Sequence, residues 1–227
     1  MGVIQVIIFD LDGTLVDSVA DIAFAANQVL AARRLRTLAV EAFIPLIGEG
    51  AKRLMERTLL AAGGDAEDDL EGALAAFLGA YAANLTRATV AYPGAAEALM
   101  TLAAAGYRLA VCTNKPEAHA RTILTRLGLD RQLTMIIGGD SVPGARKPDP
   151  QMLAPILAAC GVSAAAAVMI GDSITDVRLA RAAGMPVMLR AGGYATQPAA
   201  ALGADAVVDD LGELPRAIER LQRAAIA

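Results

Sequence analysis

The sequence has no tryptophan, only four phenylalanines and four tyrosines in 227 residues, and a single histidine, His119. So few flat rings exclude an aromatic stacking platform for nucleic acid. Positive charge is scarce as well: 20 Lys and Arg stand against 24 Asp and Glu, a net charge of −4. No basic run occurs, so neither nucleic acid nor another polyanion is an expected partner. The two cysteines, Cys112 and Cys160, lie far apart and form no CxxC. They read as free buried thiols of a reducing compartment, not as a disulfide framework. Charge or glycine breaks every alanine stretch, which leaves no run suited to a membrane helix. The N-terminus shows no cationic segment or cleavage site, and its apolar run is too short for a signal core. A cytoplasmic protein is therefore expected, with a small molecule as partner and a monomer or homodimer as its state.

What is abundant is apolar. Hydrophobic residues make up 56% and mean hydropathy is +0.47, enough for one core, or a core with a modest insertion. Residues 3–9 read as a strand buried on both faces. From Ser18 to Arg33 the spacing turns helical, with Val19, Ile22, Ala23, Ala26, Val29 and Leu30 on one face. Residues 50–62 and 70–85 repeat that pattern, and no strand signal falls between Asp17 and Thr89. After Tyr92-Pro93-Gly94 strand and helix alternate: strands at 107–113, 133–137, 166–170, 187–189 and 206–208, helices at 95–105, 117–127, 150–160, 176–183 and 214–223. Such alternation implies a Rossmann-like, doubly wound parallel α/β sheet. The helical block after the first strand reads as an inserted cap, residues 17–91, on a core of 1–16 and 92–227.

In an open parallel sheet, ligands bind at the carboxyl ends of the strands. Asp10 and Asp12 follow the first strand, Thr113, Asn114 and Lys115 the second, Lys147 the third, and Asp172, Ser173 and Asp176 the fourth. One rim thus collects four carboxylates. That set suits phosphoryl transfer. Asp10 and Asp172 are hard oxygen ligands for Mg²⁺. Asp10 can attack phosphorus, and Asp12 can protonate the leaving alcohol and later activate water. Gly13 permits the turn that brings both carboxylates to one point. Thr113, backbone amides near Asn114, and Lys147 would bind the phosphate oxygens. Only three of the 20 basic residues are lysine, at 52, 115 and 147, and two of them fall on this rim.

The stretches "DLDGTLVDS", "VCTNKP", "ARKPDP" and "GDSITD", in this order, resemble the four motifs of the haloacid dehalogenase superfamily, in the subgroup with a small helical cap. "IGEGAKRLMERTL", "GGDSVPGARKPDP" and "LGADAVVDDLGELP" resemble phosphoglycolate phosphatases. The resemblance implies Asp10 as nucleophile and Asp12 as acid/base. It implies Mg²⁺ on Asp10, the backbone carbonyl of Asp12, and Asp172, with Asp176 and Ser173 orienting. Thr113 and Lys147 match the phosphate binders, and Gly48-Glu49-Gly50 resembles a substrate-specificity loop. True dehalogenases of the superfamily lack the aspartate found here at 12. The substrate implied is 2-phosphoglycolate, attacked through an aspartyl-phosphate. A hexose or amino-sugar phosphate, a phosphomutase reaction, or a non-turnover phospho-aspartate switch are the alternatives. His119 is expected on the surface. Lys52, Arg53 and Arg57 read as the wet face of the cap or, for one of them, as a contact to a substrate carboxylate.

Overall fold

The computed structural model describes residues 3–65 and 69–224. Residues 1–2, 66–68 and 225–227, which the expected core and cap spans include, lie outside the described residues. In chain order the elements are β1 (Val6–Phe9), β2 (Val16–Asp17), α1 (Val19–Ala32), α2 (Ala51–Ala61), α3 (Leu70–Ala82), β3 (Val90–Ala91), α4 (Ala95–Ala104), β4 (Arg108–Cys112), α5 (Glu117–Arg126), β5 (Leu133–Ile137), α6 (Ala154–Cys160), β6 (Ala167–Gly171), α7 (Ile174–Ala182), β7 (Val187–Arg190), β8 (Ala206–Val208) and α8 (Leu214–Ala224).

Six strands form one parallel sheet in the order β5-β4-β1-β6-β7-β8. The alternation of side chains along β1 explains its double burial. Ile7 and Phe9 face one core, which they share with α4, α5 and α8, through residues such as Leu99, Ile123 and Ile218. Val6 and Ile8 face the other, with Ile156 of α6 and Leu179 of α7. A strand between two helical layers has no wet face, so its run is apolar throughout.

The register decides where the polar residues meet. Phe9 lies opposite Val111 on one side and Ile170 on the other. The chain path diverges from β1, to β4 and β5 one way and to β6, β7 and β8 the other. The crevice at that divergence is where an open sheet takes ligands. The residues just past Phe9, Cys112 and Gly171 therefore converge there.

Several features depart from the sequence reading. The first strand begins at Val6, because Val3 is 61% exposed, clear of the sheet. The helix expected from Pro150 starts as a 3-10 turn, Pro150–Leu153, before α6. Pro155 has no N–H to return to residue 151, so the α ladder cannot run through the segment. A 3-10 helix also spans Val40–Leu46 around Pro45, where no element was expected.

The helical block leaves and rejoins the sheet at one place. β2 and β3 pair antiparallel, Val16 against Ala91 and Asp17 against Val90. Buried Asp21 then straps the exit to the entry, accepting hydrogen bonds from Thr89 N (2.8 Å), Thr89 Oγ1 (2.7 Å) and Ala88 N (2.9 Å). Among the described residues, no helix is long and apolar enough to cross a membrane.

Candidate active site

Immediately after β1 the chain closes a tight loop, with Gly13 N donating to Val16 O (2.9 Å) and Val16 N to Leu11 O (3.0 Å). Gly13 sits at φ +83°, and a Cβ there would come within 2.3 Å of Asp172 Oδ2. Glycine is thus required twice over, for its backbone angle and for clearance. Gly193 gives the same clearance on another side, where a Cβ would lie 2.4 Å from Asp172 Cβ.

The structure brings three carboxylates together. Oxygens of Asp10, Asp172 and Asp176 all lie within 4.8 Å of one another, and all three residues are buried. One ammonium faces them: Lys147 Nζ lies 2.8 Å from Asp10 Oδ1 and 2.7 Å from Asp176 Oδ1. Three acids against one cation is a deficit of positive charge. Burial, and then the neighbouring carboxylates against the pull of Lys147, push the Asp10 carboxyl up to about 6. Burial, then Asp176 and Asp10, hold Asp172 well above the ordinary range. Burial works against the Lys147 charge, but Asp10 and Asp176 outweigh it and hold the ammonium firmly protonated. Crowded buried oxygens short of positive charge, with a glycine-cleared space on two sides of Asp172, fit a hard divalent cation.

Asp176 has a second task. Its Oδ2 accepts from Ser173 Oγ (2.8 Å), Ser173 N (3.1 Å) and Asp172 N (3.2 Å). This fixes the turn that presents Asp172. The Asp12 carboxylate lies apart from the trio. Its Oδ2 is 2.9 Å from Lys115 Nζ, and its Oδ1 accepts from Ser18 Oγ.

Asn114 is a clamp. Its Oδ1 accepts from Lys147 N (2.8 Å), and its Nδ2 donates to Lys147 O (3.1 Å) and Gly48 O (2.9 Å). The carboxamide is committed to holding the Lys147 loop and the 48–50 loop against β4. Thr113 is buried at the end of β4, and its Oγ1 accepts from Lys115 N (3.3 Å).

Over this rim lies a cavity of about 50 Å³, reached by Asp10, Asp12, Thr113 and Lys115 from below and by Ile22, Leu54, Phe77 and Tyr81 from the helical block. Gly48 and Gly50 line it, but Glu49 does not. Glu49 turns outward to pair with Arg57. Lys52 and Arg53 pair with Glu71 and Glu56, each at 2.6 Å, on the exposed side. None of these three cations lines the cavity, so they form the wet face. His119 is half-buried and not at the surface as expected. Its ring meets Tyr81 edge-on at 5.6 Å and faces the cavity.

Two residues that the sequence reading passed over belong here. Tyr81 Oη accepts a hydrogen bond from Lys115 Nζ at 2.7 Å. Tyr194, in the loop after β7, donates its N–H to Asp172 Oδ2 (2.6 Å). Its hydroxyl donates to Asp17 Oδ1 (2.7 Å) and accepts from Ser18 N (2.7 Å) and Val19 N (3.0 Å).

A family model for haloacid dehalogenase-like hydrolases matches residues 4–184. A phosphoglycolate phosphatase of Rhodospirillum rubrum is 46% identical over 215 residues, covering 92% of this chain and 89% of its own. The crystal structure of a predicted phosphoglycolate phosphatase from Haemophilus somnus 129pt superposes with a TM-score of 0.90 at 33% identity, covering 96% and 99% of the two chains. The structure of CbbY from Rhodobacter sphaeroides in complex with phosphate matches with a TM-score of 0.78 at 27% identity, over 93% and 96%.

Proposed function

We propose that this chain, which belongs to the haloacid dehalogenase-like hydrolases and is a phosphoric monoester hydrolase, acts on 2-phosphoglycolate through a phosphorylated Asp10. The observation that carries the reading is the meeting, at one strand-end rim, of Asp10 held by Lys147 at 2.8 Å with Asp12, Thr113 and Lys115 under a single cavity. The phosphoglycolate phosphatase of Rhodospirillum rubrum, at 46% identity, supports the choice of 2-phosphoglycolate.

In this reading Asp10 attacks phosphorus, the P–O bond to the leaving alcohol breaks, and Asp12 supplies the proton that the alkoxide takes. Asp12, now a carboxylate, draws a proton from the water that attacks the phosphoryl group on Asp10, and phosphate leaves. Lys147 keeps Asp10 anionic for attack and lies beside the oxygens on which charge develops. Thr113 and the backbone amides after β4 hold the phosphoryl oxygens. Asp10, Asp172 and the backbone carbonyl of Asp12 would hold Mg²⁺, which when bound neutralises phosphoryl charge. Asp176 and Ser173 set the position of Asp172. Residues 17–91 serve as a cap that excludes water, with hinges at Val16–Ser18 and Val90–Gly94. The test is kcat/KM over a panel of small phosphate esters, with and without Mg²⁺. Steady release of phosphate, fastest from 2-phosphoglycolate and abolished by EDTA, is expected. Release that stops near one phosphate per chain, or a hexose phosphate as the best ester, overturns it.

A further inference from the structure

We propose that Lys115, with His119 beside it, receives a negatively charged group on the leaving alcohol, so that the substrates are phosphorylated small hydroxy acids. The inference rests on the phosphatase reading above and deepens it, because it places substrate choice on the core and not on the cap.

The cavity decides which cation is available. Lys115 contributes the one ammonium among the residues that line it. Lys147 is held at the other end of the rim by Asp10 and Asp176. Lys52, Arg53 and Arg57 of the helical block are paired with exposed carboxylates. Apart from Tyr81, Gly48 and Gly50, the block's wall is apolar: Ile22, Ile47, Ala51, Leu54, Phe77 and Leu78. An anion entering an apolar cavity needs a paired cation already there.

Lys115 is built for exchange of partners. Its side chain is 4% exposed, and its ammonium is shared between Asp12 Oδ2 (2.9 Å) and Tyr81 Oη (2.7 Å). An ammonium has three N–H donors, and these contacts use two. A ligand carboxylate can take the third, or replace Asp12 altogether. The imidazole supplies the second observation. His119 Nδ1 is buried and meets no hydrogen-bond partner among the described residues. A buried ring nitrogen without a partner is costly, and a ligand oxygen would meet it. Burial, then the Lys115 charge, hold the imidazole below its ordinary range, so the ring brings no second full charge.

The arrangement also links recognition to chemistry. In the unliganded site Lys115 holds the Asp12 carboxylate at 2.9 Å. A carboxylate on the substrate draws the ammonium toward itself and frees Asp12 to serve the leaving oxygen. A neutral leaving group leaves Asp12 held. Such esters should therefore lose kcat as well as affinity.

The experiment compares 2-phosphoglycolate with 2-hydroxyethyl phosphate, in which a neutral hydroxymethyl group replaces the carboxylate. The wild type should prefer the acid by on the order of 100-fold in kcat/KM. Lys115→Met should cut that preference by about tenfold or more, chiefly by losing the acid, and Lys115→Arg should restore part of it. His119→Leu should reduce the preference less. A merely structural role for Lys115 would lower both esters together and leave their ratio intact, which overturns the proposal. Should Lys115→Met fail to fold, glycolate and ethylene glycol as competitive inhibitors of the wild type decide. Equal inhibition by the two sinks the proposal, and tighter inhibition by glycolate supports it. A wild type that turns over neither ester contradicts the phosphatase reading itself. A wild type that turns over both equally contradicts only the anion site.

Discussion

The two faces of the cavity are opposites. The core face carries Asp10, Asp12, Thr113, Asn114, Lys115 and His119, whereas the helical block shows it Ile22, Leu54, Phe77, Leu78 and one phenol, Tyr81. On the block, charge is turned outward into exposed pairs such as Lys52–Glu71 and Arg53–Glu56. Reactive groups need fixed positions, and the ends of buried parallel strands supply them. Excluding water needs only apolar area, which helices can bring and remove. In the proposed reading, chemistry and enclosure are assigned to separate parts of the chain, and Lys115–Tyr81 is one contact that joins them, beside Asn114–Gly48.

That division can be broken by measurement. The largest effect belongs to the core: Asp10→Asn should stay folded and lose about 10⁴-fold or more in kcat, and near-normal turnover would end the covalent route. Asp12→Asn should lose about 10²–10⁴-fold while calorimetry still detects inorganic phosphate binding. Unchanged rates would remove its acid/base role. On the block, Phe77→Ala removes a buried ring stacked on Tyr81 at 5.6 Å. It should cost about 3–5 kcal/mol of stability, read by denaturant melting, and raise KM more than it lowers kcat. A kcat loss as deep as that of Asp10→Asn would erase the division.

Proton linkage sharpens the same contrast. The folded value of Asp10 is pushed up to about 6, above its ordinary 3.8, so the folded chain holds this proton more tightly than the unfolded one. The resulting stability is fully present below 3.8 and is lost as pH rises through about 6. In EDTA, Tm should therefore fall as pH goes from 5 to 7.5, and Mg²⁺ should recover more of it at 7.5 than at 5. A Tm in EDTA that does not fall over this window removes the link. The smallest effect is expected at Lys52→Ala, which should stay within about 0.5 kcal/mol in stability and keep its kcat/KM. A tenfold loss there would mean that the block contacts substrate through charge.

The alternating core was legible because each strand is a short, mostly apolar run bounded by glycine or a polar turn, as at Leu133–Ile137 and Ala206–Val208, where the expected bounds match. β2 and β3 escaped because two paired residues carry no period. The acids were legible because they sit directly after apolar strands, so position in the chain and position in space coincide. Tyr194 was not, since its hydroxyl meets Asp17, 177 residues earlier. Tyr81 likewise meets Lys115 34 residues away, a distance that no local pattern encodes. His119 was misjudged because helical spacing shows which side of α5 it is on, but not that α3 lies against that side. Glu49 follows a recognisable loop pattern, yet its side chain turned to Arg57.

The loop after β7 fastens more than Asp172. Arg190, at its root, donates to Gly13 O (3.1 Å) and lies 3.6 Å from the Tyr92 ring. Tyr194 grips residues 17–19. Both crossings into the helical block are thus pinned within a few residues of the acid. If the block moves as proposed, a lid so mounted would have its fulcrum at the candidate site. A swing of the block's tip through a wide arc would then displace that fulcrum little, and the site would not have to be rebuilt at each turnover.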